Sequence, residues 1–201
     1  LAAKLALKHG LACNTAGGSH HAKRAHGAGF CTFNDVGVAA SLLLTEGAVR
    51  RMLVVDLDVH QGDGTAEIFA AEPRVFTFSM HARSNYPTRK IPSDLDLALA
   101  DSVGDDDYLA RLAAILPVLM EYARPELVFY NAGVDPHRDD KLGKLALSDE
   151  GLRLRDRLVM SFFRSRNVPV CGVIGGGYSD DVPALAERHA ILFEEAAALA
   201  D

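Results

Sequence analysis

Each apolar run in this sequence that could form a buried strand turns polar at its carboxyl end, and always into residue types that do chemistry. LACN (residues 11–14) leads to His20 and His21, and MLVVD (52–56) leads to Asp58 and His60. RVFTF leads to Ser79 and His81, ELVFYN to Asp135, and VPVCGVI to Gly175-Gly176-Gly177-Tyr178. In a parallel sheet all carboxyl ends lie along one edge, which is where such sheets bind ligands. Scattered surface polar residues would not keep that phase. The pattern therefore constrains fold and function together, with several loops delivering His, Asp, Ser and Tyr to one mouth.

Between these runs the spacing predicts helices. Residues 1–9 read as helical, with Gly10 as the C-terminal stop. Asn34 can cap a helix running to about Glu46, with Gly47 past its end, and DGTAEIFAAEP is a short helix ended by Pro73. From Asp105 an acidic first turn precedes Leu109, Leu112, Ile115, Leu116 and Leu119 at helical spacing, with a kink expected at Pro117. Ser148 caps DEGLRLRDRLVMSFFRSR, and a last helix runs from about Val182 to Ala200. Segment 81–104 shows no helix and reads as a long loop, which in a compact domain is usually functional. Strands alternating with helices, with no repeat or linker, predict one α/β domain over residues 1–201 with a mostly parallel sheet. At 49% apolar composition, a chain of this length can bury a substantial core.

Several function classes drop out. A formal charge of −6 argues against direct nucleic-acid binding, while leaving room for a basic substrate. No apolar run approaches a membrane span, and Lys4 and Lys8 interrupt the early candidate for a signal peptide. Cys13, Cys31 and Cys171 are scattered with no CxxC pair, which disfavours disulfides and thiolate zinc sites and fits a reducing, cytoplasmic setting. Leu1 opens a stretch that already reads as the middle or end of a helix, so an N-terminally trimmed domain is expected.

The stretch VVDLDVHQGDGT (54–65) is the densest in chemistry. Asp58 and His60, two apart in an extended segment, would project to the same face. With Asp135 they make an O,N,O set suited to zinc or iron(II), with positions left open for water and substrate. An Asx-turn would explain a lone DxH, but not the flanking Asp56 and Asp63 with Gly62 and Gly64. His20-His21 in a Gly-rich loop can divide general-base and general-acid work, with Asp56 and Asp63 as carboxylates able to fix their tautomers. GGGY lacks the residues of a phosphate loop. Its glycines instead let the backbone turn tightly and set the Tyr178 hydroxyl over the metal as an oxyanion donor.

These residues resemble the arginase/deacetylase superfamily, and specifically zinc-dependent histone deacetylases and bacterial relatives such as acetoin-utilisation proteins and acetylpolyamine amidohydrolases. The matching elements are GGSHHA, GAGFCTFND, VDLDVHQGDGT, FSMH, YNAGVDPHRDDKLG and GGGY, in the family's order. NAGVDPHRDDKLG and the NYP turn are most similar to the class IV branch. The resemblance implies a three-layer α/β/α fold, with Asp58, His60 and Asp135 binding zinc. It implies His20 and His21 as the acid/base pair, partnered by Asp56 and Asp63 respectively, and Tyr178 polarising the scissile carbonyl. Gly29, Phe30, Tyr86 and Gly176 would line the acyl-lysine tunnel. Asp56 and Ser79, with backbone carbonyls of Asp58, His60 and Met80, match the family's potassium site. Arginases need a second late DxD, but here the element is Asp135-Pro136-His137, which fits a mononuclear hydrolase.

The activity these features imply is removal of an acyl group from the ε-amine of lysine in a protein or peptide. A small-molecule deacylase acting on polyamines or metabolites is the competing enzyme, and a catalytically idle acyl-lysine-binding module the competing class. The latter has no need of an intact His pair, ligand set and Tyr178.

Overall fold

The computed structural model describes residues 1–199. The chain runs α1 (Ala2–His9), β1 (Leu11–Asn14), α2 (Asp35–Thr45), β2 (Met52–Asp56), α3 (Asp63–Phe69), β3 (Val75–Ala82), β4 (Leu95–Leu99), α4 (Asp105–Ala123), β5 (Leu127–Asn131), α5 (Asp149–Arg164), β6 (Val170–Val173) and α6 (Val182–Ala198). Every strand pairing in the sheet is parallel, in the order β1-β6-β5-β2-β3-β4. The expected end of the last helix, Ala200, lies outside the described residues, among which no helix is long and apolar enough to cross a membrane.

The strands alternate faces, and the alternation makes three layers. Leu53 and Val55 of β2, with Val128 and Tyr130 of β5, face a core built with Leu112, Leu116 and Leu119 of α4, Val159 and Phe163 of α5, and Ile191 and Leu192 of α6. Met52 and Val54, with Leu127 and Phe129, face the other core, under Ala3 and Ala6 of α1, Leu43 and Leu44 of α2, and Phe69 of α3. Strands covered on both sides must be apolar throughout, which explains the uninterrupted runs MLVVD and LVFYN. Two helices begin where their caps dictate: Asn34 accepts from Gly37 N–H at 2.8 Å, and Ser148 from Gly151 N–H at 3.0 Å.

One expectation changes. The segment 81–104 is not all loop, because LDLAL forms the edge strand β4 against β3, with Phe78 opposite Leu95 and Ala82 opposite Leu99. Asp94, just before the strand, accepts from Thr77 N–H and Oγ1, and Asp96 within it accepts from Ser93 N–H. Helix α4 contains Pro117 within its length, as the sequence reading has it. The carbonyl of Ala113, which proline leaves without its usual donor, lies on the exposed side where water can satisfy it.

From β2 the chain steps outward through β3 to β4, then returns to the other side of β2 as β5 and continues to β6. The order reverses between β2 and β5, and an open parallel sheet forms its ligand crevice at such a reversal. Asp58 and His60 follow β2, and Asp135 follows β5. The candidate site therefore sits where the topology opens.

Candidate active site

Asp58, His60 and Asp135 converge at this crevice, all buried, with one potential ligand atom of each within 4.8 Å of the others. His60 Nδ1 lies 3.0 Å from both Asp58 Oδ1 and Asp135 Oδ2. The convergence does not come from an extended strand, because β2 ends at Asp56 and residues 58–60 form a bend. His60 N–H donates to Asp58 Oδ1 at 2.9 Å, so an Asx-type turn is present and aims both side chains at one point. The outer carboxylate oxygens are held by the backbone: Gly176 N–H donates to Asp58 Oδ2 at 2.8 Å, and Val59 N–H to Asp135 Oδ1 at 2.8 Å.

The electrostatics of this trio are those of a cation site. Burial and repulsion from Asp58 raise the Asp135 carboxyl to about 7. Against the cost of burial, hydrogen bonds to Asp135 and Asp58 raise His60 to about 10. Protons thus hold together two buried like charges and an imidazole. A divalent cation can replace them, since two carboxylate oxygens and a ring nitrogen are the donors zinc or iron(II) takes.

Beside the trio stand the two adjacent histidines, ring centroids 4.1 Å apart. His20 Nδ1 lies 2.7 Å from Asp56 Oδ2, and His21 Nδ1 lies 2.6 Å from Asp63 Oδ1. Each imidazole therefore has one nitrogen fixed by a carboxylate and Nε2 left over. The two titrate apart. Burial disfavours charge on His20, but Asp56 and Asp58 outweigh it and lift its pKa to about 10. Burial and the charge of His20 push His21 below its ordinary value. A cation at Asp58 would withdraw part of the support for His20. Lys23 Nζ lies 2.9 Å from Asp63 Oδ2, and with His21 it holds the Asp63 carboxyl low against the opposing effect of burial.

Above the trio opens a cleft of about 440 Å³. His21, His60 and Tyr178 reach it from below, Gly29, Phe30 and Tyr86 form walls, and Asn85 and Leu142 complete it. Tyr86 stands edge-on to His21 with centroids 4.8 Å apart, and Phe30 lies 6.0 Å from Tyr178. Burial and the carboxylates of Asp58 and Asp135 raise the Tyr178 phenol, keeping it a donor. Gly29 cannot be another residue: with φ at 51°, its Cβ would fall 2.3 Å from His21 Cδ2. Phe30 adopts a left-handed φ of 65° while exposed, a backbone cost typical of functional loops.

Gly176 does not line the cleft as expected. It packs against Asp58 and Asp135, where a Cβ would come within 2.3 Å of Asp135 Oδ2. The remaining expected residues, Asp56, Ser79 and Met80, lie side by side, since Asp56 is in register with Ser79 across β2 and β3. Ser79 Oγ also lies 3.0 Å from His81 Nδ1.

Among the residues of the site that the sequence does not single out are two asparagines. Asn131, at the end of β5, donates to Asp56 Oδ1 at 3.0 Å and so braces the His20 partner. Asn85 donates to the Leu142 carbonyl at 2.7 Å and accepts from Lys144 N–H at 3.0 Å, tying the two loops that form one side of the cleft. Neither carries a local signal beyond its place at a strand end or in the NYP turn.

The histone deacetylase domain family matches residues 1–193. An uncharacterized protein of Picosynechococcus sp. is 53% identical over 196 residues, covering 98% of this chain and 65% of that protein. Histone deacetylase 2 of Arabidopsis thaliana is 36% identical over 182 residues, covering 89% of this chain and 47% of the relative. Histone deacetylase clr6 of Schizosaccharomyces pombe is 35% identical over 180 residues, covering 84% and 43%. The chain thus spans less than two thirds of the length of each of these relatives. With its all-parallel sheet, its Asp-His-Asp trio and this match across nearly its whole length, the chain belongs to the histone deacetylase domain family.

Proposed function

We propose that the chain is a zinc-dependent amidohydrolase that removes an acetyl or other acyl group from the ε-amine of lysine. The observation that carries this reading is the convergence of Asp58, His60 and Asp135 at the foot of a cleft bordered by a carboxylate-held histidine and a protonated tyrosine. Zinc held by that trio, or iron(II) in its place, would polarise the scissile carbonyl and acidify a water.

The chain's own residues supply the rest. His21 is kept neutral by burial and by its charged neighbour, and Asp63 fixes its Nδ1, so its free Nε2 can take a proton from the attacking water. The resulting imidazolium is stabilised by Asp63 and can return the proton to the leaving amine. His20, anchored on Asp56, favours negative charge developing nearby whenever it carries its proton. Tyr178 donates a hydrogen bond to the carbonyl oxygen as it gains charge. Phe30 and Tyr86 offer apolar surface to the methylenes of a lysine arm. Among the described residues, no Asp, Glu, Lys or Arg lines the cleft above Asp58 and Asp135. That suits a lysine whose charge acylation has removed better than a cationic polyamine. A potassium ion beside Asp56, Asp58, His60, Ser79 and Met80 is part of the same reading, supported by the register of Asp56 with Ser79.

The test is a panel of acetyl-lysine peptides, longer acyl-lysine peptides and acetylpolyamines offered to the zinc-loaded chain, with Asp135→Ala as the control. Turnover of acyl-lysine peptides that disappears in Asp135→Ala is the expected result. Turnover of acetylpolyamines alone would shift the substrate to small molecules. Peptide binding with no turnover would replace the enzyme by a binding module.

A further inference from the structure

Arg155 is the largest fully buried side chain among the described residues, at 0% exposure, and the proposed reaction makes no use of it. It enters from α5, beneath the crevice. Its Nη1 donates to the Gly133 carbonyl at 2.6 Å and, more weakly, to the Leu57 carbonyl at 3.4 Å. Leu57 immediately precedes the ligand Asp58, and Gly133 stands two residues before the ligand Asp135. One nitrogen thus touches both turns that carry carboxylate ligands. On its other edge the guanidinium pairs with Asp156, through Nε at 2.9 Å and Nη2 at 2.8 Å. Asp156 also accepts from the Tyr130 hydroxyl at 2.5 Å, which fastens the group to β5.

A buried ion pair is an expensive stability device, since apolar replacements of similar volume are often neutral or stabilising. What an apolar side chain cannot do is donate to two carbonyls on separate turns. A lysine cannot do all of it either, because one ammonium lacks the planar fork that pairs with Asp156 on one edge and spans two carbonyls on the other. Asp156 balances the positive charge, so the guanidinium can sit behind a cation site without repelling its occupant.

We propose that Arg155 is a positioning residue for the metal centre, clamping the Leu57–Asp58 turn to the Gly133–Asp135 turn so that the two carboxylate ligands keep their spacing before metal arrives. The proposal rests on the metal reading of Asp58, His60 and Asp135. A partner acting behind metal ligands changes affinity by roughly 10- to 100-fold when removed, and that is the effect expected here.

The experiment measures zinc affinity by competition with a chromophoric chelator. It compares the parent chain with Arg155→Lys and with the double variant Arg155→Met/Asp156→Asn, which removes both buried charges together. Thermal melting of each metal-free chain is recorded alongside. Both variants should melt cooperatively and bind zinc at least about 10-fold more weakly than the parent. Arg155→Lys keeps the charge and decides the matter alone should the double variant not fold. A cooperatively melting variant that binds zinc as tightly as the parent overturns the clamp while leaving the metal reading intact. A parent chain that binds no zinc overturns the metal reading, and the clamp with it.

Discussion

At the scale of residues, the proposed reaction needs groups held in unequal states. His21 must be neutral to accept a proton, and burial with the neighbouring charge of His20 lowers its pKa. A lowered value leaves it deprotonated until the pH falls below its usual range. The rate should therefore fall on acidification with a midpoint below 6.5, read from kcat/KM against pH for the metal-loaded chain. Tyr178→Phe should lower kcat by roughly 10²- to 10³-fold, as loss of an oxyanion donor does, with zinc content unchanged by elemental analysis. Near-normal turnover in that variant would make the tyrosine structural. Gly29→Ala would drive a methyl into the His21 ring. Displacing a general base costs about 10²-fold or more, so kcat/KM should drop by that order while the metal stays bound. His20, His21, Asp58, His60, Asp135 and Tyr178 were legible because each ends a strand run or sits in a dense motif. The pairing of Asp56 with His20 and of Asp63 with His21 came through family resemblance, since nothing local distinguishes one carboxylate from the other. Asn85, Asn131 and Arg155 stayed hidden because their partners lie far along the chain, and an arginine in an amphipathic helix reads as surface until the packing buries it.

At the scale of elements, the chain is most readable where burial is complete. The strands β2, β3, β5 and β6 are covered on both faces and betray themselves as apolar runs. Strand β4 was missed because it is a half-buried edge, preceded by IPSD and interrupted by Asp96, whose carboxylate is absorbed by Ser93 and Gln61. The starts of α2 and α5 were legible through the caps Asn34 and Ser148, and one cap does more than start a helix. Asn34 caps α2 while donating to the Ala22 carbonyl, next to the His pair, at 3.2 Å and to Thr65 Oγ1 of α3 at 3.0 Å. Asn34→Ala removes the cap and leaves buried partners unsatisfied, which should cost about 1–3 kcal/mol. Chemical denaturation of the two chains measures it, and a loss within a few tenths of a kcal/mol would mean that water replaces the side chain. The variant should also lose turnover, because the loop carrying His20 and His21 is fixed through Ala22.

At the scale of the whole molecule, a single parallel sheet reverses its strand order between β2 and β5, and the two strands bring their polar ends to that one opening. The site is a consequence of the topology: β2 contributes Asp58 and His60, β5 contributes Asp135, and the chain after β6 contributes Gly176 and Tyr178. Three candidate ligands and no second late DxD predict a single transition metal per chain. The most direct measurement is a zinc titration of the metal-free chain, with hydrolysis of an acetyl-lysine peptide followed at each addition. Turnover that rises linearly and saturates at one zinc per chain is the predicted result. Saturation at two metals per chain, or a chain that binds zinc and never hydrolyses the peptide, would contradict it.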